Sequence, residues 1–179
     1  TLIIESTYGK PDQNLPDRNE VLRDLQAWIE VTSSNGGGII GAYSLGKAQE
    51  VIATANNAGV VPAVSEIVGS VSDIYKKYGV ALEYVPYAEL NENEKENPGL
   101  LVTSTTATSG RRPDPAVRNL RSKGAKVARV SGWCAFSDWA LRGVDAGFPI
   151  SDHSDFGGTM KFIEECNPKQ VYTVHGSTK

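Results

Sequence analysis

The chain has 179 residues, 40% of them hydrophobic and 22% charged, with two cysteines and a net charge of −3, which is ordinary for a globular protein of one or two domains with a sizeable core. The charge excludes a bulk attraction to nucleic acid, so any nucleic-acid site has to be a local basic patch; no apolar run reaches the roughly 18–20 residues of a membrane span, and no signal peptide is visible. Cys134 and Cys166 are too few for a disulfide framework, which points to buried thiols and a cytoplasmic protein.

In chain order, Leu2-Ile3-Ile4-Glu5 reads as a buried strand and residues 9–16 as a loop. Asp17 is placed to cap a helix over about residues 18–32, whose Val21, Leu22, Leu25, Trp28 and Ile29 follow the i, i+3, i+4, i+7 pattern. Asn35-Gly36-Gly37-Gly38 is a turn, and residues 38–43 form a strand. Ser44 caps a second helix over about 45–56, with Ala48, Val51, Ile52 and Ala55 inward. A strand starts at Val60-Val61, and a helix over 65–78 carries Ile67, Val68, Val71 and Ile74. Tyr84-Val85-Pro86 is extended, residues 91–97 are polar and exposed, and 100–103 are a strand leading into a small-residue loop over 104–110. A helix over 115–122, a strand over 126–130, an extended 148–151, a helix over 159–166 and a strand over 170–174 complete the chain.

Strands alternating with helices across short loops predict an α/β fold with a mainly parallel sheet. Sites in such sheets gather at the carboxyl ends of strands, where Glu5, Tyr43, Ser104, Trp133 and His175 all fall. Gly36-Gly37-Gly38 precedes a strand, whereas a dinucleotide-binding glycine run follows one, so a Rossmann site is rejected. Ser44-Leu45-Gly46-Lys47 lies between a strand and a helix, where free amides and the helix dipole suit a phosphate; an ordinary capped helix is the plainer reading. The loop from Ser104 to Arg112 offers hydroxyls, with Ser109, and two arginines, Arg111 and Arg112, which also suit phosphate oxygens. The chain has two histidines, His153 in Ser151-Asp152-His153-Ser154-Asp155 and His175 in Val174-His175-Gly176. Taken alone, a histidine beside an aspartate is more often a surface hydrogen-bonding group than a catalyst, and a strand-end Glu5 more often an ion pair.

Together these segments resemble the β-CASP branch of the metallo-β-lactamase-fold nucleases. Leu2-Ile3-Ile4-Glu5-Ser6-Thr7-Tyr8-Gly9 resembles that family's motif A strand, and Ala42-Tyr43-Ser44-Leu45-Gly46-Lys47-Ala48-Gln49-Glu50 its (F/Y)-x-L-G-(R/K)-A-Q-E segment. Ser131-Gly132-Trp133 resembles the segment before motif B, Ser151 to Asp155 motif B itself, and Val174-His175-Gly176 motif C, in the family's order nearly from end to end. The resemblance implies a β-CASP domain, with a mainly parallel sheet, over about 10–130, inserted into part of a metallo-β-lactamase αββα fold contributed by 1–9 and 131–179.

It also implies a metal-dependent nuclease in which two Zn2+ ions activate water to attack a backbone phosphorus. His175 would be a zinc ligand, His153 the general acid, and Glu5 the carboxylate that orients it and raises its pKa; Ser44, Lys47, Ser109 and Arg111 would hold phosphates in the cleft between the domains. The family takes its other zinc ligands from an H-x-H-x-D-H loop, a further histidine and an aspartate before motif A, none of which this chain has. Thr1 standing directly on a strand leads to the expectation of a piece of a larger protein, inactive by itself, with the remaining ligands upstream of Thr1. A motif C histidine goes with RNA-type members, so RNA or single-stranded nucleic acid in mRNA 3′-end processing is the first reading of substrate. A ligase-associated DNA exonuclease is the second, and a non-catalytic β-CASP scaffold or nucleic-acid-binding module the third. Oligomeric state and processing-complex partners stay open.

Overall fold

The computed structural model of the chain describes residues 1–109 and 113–176. In chain order it forms β1 (Leu2–Glu5), α1 (Arg18–Ser34), β2 (Gly38–Ala42), α2 (Lys47–Asn57), β3 (Ala63–Val64), α3 (Glu66–Lys77) and β4 (Val85–Pro86). There follow α4 (Glu92–Glu96), β5 (Leu100–Ser104), α5 (Thr105–Thr108), α6 (Pro115–Ser122), β6 (Lys126–Val130), α7 (Asp138–Leu141), β7 (Ala146–Phe148), α8 (Phe156–Cys166) and β8 (Val171–Val174). These elements make two compact units, residues 17–150 and residues 1–16 with the chain from 151 onward.

The larger unit is an α/β module. Its sheet is six-stranded, in the order β4-β3-β5-β2-β6-β7, and every pairing is parallel. Successive residues of a strand face opposite sides, and the two cores follow that alternation. Ile40, Val102, Ala128 and Val130 pack with Leu25 and Ile29 of α1, Val51 and Ile52 of α2 and Val68 of α3. Ile39, Leu101 and Val127 pack on the other side with Val117 and Leu120 of α6. Each fully buried Leu or Ile contributes roughly 1.5–3 kcal/mol of transfer free energy, so this double-sided burial is what holds the sheet.

The predicted helix of residues 18–32 forms and runs on to Ser34, with the Asp17 side chain accepting the Glu20 amide at its start. Gly36 and Gly37 turn the chain with φ of 85° and 94°, ahead of β2 as expected. Several expectations are corrected. β3 starts at Ala63 rather than Val60. Ile67 and Ile74 of α3 are 55% and 57% exposed, because only the Val68-Gly69-Ser72 side of that helix meets the module. The small-residue stretch after β5 is not a plain loop: Ser104 accepts the Ala107 amide and starts one helical turn, α5. A 3-10 turn over Gly132–Ala135 and α7 carry no periodicity long enough to be read from sequence.

In the smaller unit β1 and β8 pair in parallel, Leu2 beside Val171 through Glu5 beside Val174. The strand expected to be buried is only half so: Ile3 is 69% exposed, while Leu2 and Ile4 are half-buried, and among the described residues this sheet has two strands. Because β7 pairs with β6, residues 131–150 share the larger unit, so the sequence boundaries at 9/10 and 130/131 do not coincide with the compact units.

Candidate functional site

Within the smaller unit the chain brings Glu5 and His153 together. Glu5 is the last residue of β1. The backbone then turns, and the Thr7 amide donates to Glu5 Oε2 at 2.8 Å, which fixes the carboxylate. Its other oxygen, Oε1, lies 3.4 Å from His153 Nδ1. Thr7 Oγ1 is also 3.4 Å from Nδ1, and the buried Tyr8 ring meets the imidazole edge-on, 6.2 Å between centroids. The His153 amide donates to Ser151 Oγ at 3.0 Å. One face of the histidine is thus held from motif A and its backbone from motif B, while the side chain stays half exposed. Burial by itself would raise the Glu5 pKa; the Thr7 hydrogen bonds and the His153 charge outweigh it and hold the carboxyl below its ordinary value. With Nδ1 turned to a carboxylate, Nε2 is the nitrogen left to exchange a proton with a substrate.

The loop carrying His153 is anchored by the start of α8. The first three amides of that helix, which have no i−4 partner within it, are satisfied by other groups, and the fourth makes the first helical bond. Phe156 N donates to Gln13 O and Thr159 N to Asp155 O. Gly157 N donates to Asn14 Oδ1 and Gly158 N to Asp155 Oδ1. Asp155 Oδ2 also accepts the Leu15 amide at 3.1 Å. The motif B aspartate is therefore a helix cap that ties the 10–16 loop to α8 (in this chain a structural role). His175 follows β8 with φ of 58°, a left-handed conformation uncommon for a residue with a Cβ. The Glu5–Val174 register sets it at the carboxyl end of the strand beside β1. Gly176 then passes so close to Ser6 that a Cβ would lie 2.6 Å from the Ser6 carbonyl oxygen.

The expected phosphate-binding residues lie in the larger unit. The register pairs Ala42 with Ser104, and Gly41 leaves room for Thr108, so the turns after β2 and β5 are neighbours at the carboxyl edge of the sheet. Ser44 is not the cap of α2. The helix starts at Lys47 after Gly46, whose φ is 84°, and the cap is the Gln49 side chain, which accepts the Gly46 amide at 2.8 Å. The Lys47 and Ala48 amides donate to the carbonyls of Leu45 and Tyr43. The backbone donors expected to cradle an anion are thus used within the turn, which leaves side chains for that task. Lys47 is 5% exposed, with its ammonium 5.1 Å over the Tyr43 ring. Ser109 Oγ donates to Thr105 O at 2.6 Å. Arg111 falls outside the described residues. Sequence reasoning gave no role to Thr7, Tyr8 or Gln49; Gln49 could have been found as a glutamine three residues into a helix, the capping-box position.

Among the described residues no three His, Cys, Asp or Glu side chains converge on a point where a metal ion could sit. A catalytic zinc takes about three protein ligands, and His175 alone does not meet that need, so the described residues by themselves do not fit a zinc ion.

Comparison with known proteins gives partial matches. Residues 147–179 match the RMMBL family model, described as a Zn-dependent metallo-hydrolase RNA specificity domain, the stretch that holds His153, α8, β8 and His175. The relatives include an RNase J-like protein of Methanocaldococcus jannaschii, 46% identical over 31% of this chain and 14% of its own length. Transcription termination factor FttA of the same organism is 45% identical over 29% of the chain and 8% of its own length. A probable DNA ligase of Opitutus terrae is 28% identical over 98% of the chain and 16% of its own length. Together these matches support a relationship to the β-CASP branch of the metallo-β-lactamase-fold nucleases. The chain spans no more than 16% of the length of any of these three relatives. No helix among its described residues is long and apolar enough to cross a membrane.

Proposed function

We propose that this chain supplies the proton-transfer part of a zinc-dependent phosphodiesterase that cuts RNA, in a 3′-end processing or termination setting. The observation that carries the reading is the Glu5–His153 pair, 3.4 Å apart, built from the end of β1 and from a loop held by the Ser151 hydroxyl and by hydrogen bonds between the start of α8 and the 10–16 loop. In this reading His153 Nε2 gives its proton to the leaving oxygen as the P–O bond breaks, and Glu5 at Nδ1 holds the ring and balances the imidazolium charge. His175 acts as one zinc ligand, with the others contributed from outside this chain. Thr7, Tyr8 and Ser151 position the acid. Ser44, Lys47, Ser109 and Arg111 are proposed to contact backbone phosphates.

RNA is favoured by the description of the family model and by the printed names of the two archaeal relatives. A DNA exonuclease is the second reading, favoured by the relative that aligns over 98% of the chain being a probable DNA ligase. The test is cleavage of end-labelled RNA and of DNA of the same sequence by the intact protein and its His153→Ala and His175→Ala variants. Both variants are expected to lose activity, His153→Ala by about 10²–10⁴-fold, as for a general acid. Unchanged rates in both overturn the proposal, and faster cleavage of DNA moves the assignment to the second reading.

A further inference from the structure

Strand β6 carries an arginine in the interior of the larger unit. Arg129 is 6% exposed. Its Nη1 donates to the Ala140 carbonyl of α7 at 2.7 Å, but Nε and Nη2 are buried and have no hydrogen-bond partner among the described residues. These two are not scattered donors. They are the N–H groups on one edge of the guanidinium, parallel to each other, and that edge matches two oxygens of a carboxylate or phosphate. A guanidinium does not deprotonate in proteins, so the charge stays, and a buried charge without a partner is costly.

The surroundings are shaped around that side chain. The register aligns Thr103, Gly41, Arg129 and Gly147 across four strands, so both neighbours of Arg129 on its face of the sheet are glycines. Thr108 fills the place a Cβ on Gly41 would take, and Leu141 with Cys134 fills that of Gly147. The walls are therefore a hydroxyl-bearing turn on one side and a leucine and a thiol on the other. The thiol is not the missing counter-charge: burial raises the Cys134 pKa above its ordinary value against the lowering effect of Arg129, and it remains neutral. Among the described residues no carboxylate pairs with Arg129 either.

We propose that the Nε–Nη2 edge of Arg129 is a binding site for a small oxyanion, a phosphate or carboxylate group that offers two oxygens side by side. The site lies within the larger unit and is independent of the Glu5–His153 chemistry. It is tested by following the Arg129 side-chain Nε–H resonance by NMR in the full chain during titration with inorganic phosphate and, separately, acetate at matched ionic strength. A saturable shift in one or both is expected, and the arm that saturates at lower concentration identifies the oxyanion. The same anion should raise the thermal midpoint of the wild type. Arg129→Lys keeps the charge but loses the fork and should bind at least about tenfold more weakly. No response of the Nε–H to either anion overturns the proposal, as does an equal rise in midpoint for wild type and Arg129→Lys. The NMR readout needs no variant, so it stands even if Arg129→Lys fails to fold.

Discussion

Replacing Gln49 by leucine should uncouple the turn between β2 and α2 while nearly preserving side-chain volume. Gln49 is 3% exposed. Its Oε1 accepts the Gly46 amide at 2.8 Å, and its Nε2 donates to Ser44 O at 3.1 Å and to Ser72 Oγ at 2.9 Å. Leucine removes all three bonds. At a net value of about 0.5–1.5 kcal/mol each, the loss is about 2–4 kcal/mol, with the stranded Gly46 amide pushing toward the upper end. For a chain of this size that is a fall in Tm of roughly 6–12 °C, read by thermal or urea unfolding. Ser72 is fully buried and its own hydroxyl proton goes to Val68 O, so a double-mutant cycle with Ser72→Ala isolates one bond and should show coupling of about 1 kcal/mol. A fall in Tm below about 2 °C for Gln49→Leu, or no coupling to Ser72, would refute the assignment of this glutamine as the cap of the turn.

Two further outcomes follow from the smaller unit. The depressed Glu5 pKa means the folded state binds this proton more weakly than the unfolded chain, so its stabilising effect is fully present above the ordinary value of 4.5 and is lost as pH falls through the lower folded value. Glu5→Gln should therefore lower Tm at pH 7 and converge with the wild type under acid conditions; an equal difference at pH 7 and pH 3 would exclude the linkage. Gly176→Ala places a Cβ against the Ser6 carbonyl, which cannot retreat while the Ser6 amide donates to Val174 O at 2.8 Å. A cost of about 1–3 kcal/mol is expected from overpacking, visible as faster hydrogen exchange at Ser6, and an unchanged exchange rate there would count against the close approach.

Much of the larger unit was legible because its signals are local and repeated. Leu25, Ile29, Val51 and Ile52 recur at helical spacing, and Asp17 sits where a cap belongs; Asp114, which accepts the Ala116 amide ahead of α6, was not read. What escaped depends on partners distant in sequence. Gln49 reads as one letter of a motif until Ser72 is seen beside it. Ile3 and Ile74 read as core because apolar residues usually are, yet no described element covers either. The pairing of Glu5 with His153 was legible only through the family resemblance. No periodicity links residues at opposite ends of a chain, and the Thr7 amide that sets the carboxylate has no sequence signature at all.

The register of Leu2 beside Val171 joins positions 169 residues apart (171 − 2). Closing a flexible loop of that length costs about 4–5 kcal/mol in chain entropy beyond a constant, more than a four-residue pairing of exposed strands can offset early in folding. The order of assembly follows from that: residues 17–150 condense on their own contacts, and β1 finds β8 only afterwards, so pulsed hydrogen exchange should protect the amides of β5 before those of β1. The Glu5–His153 contact then forms only on a chain whose residues 17–150 have already folded, which makes it a late event of folding rather than an early one.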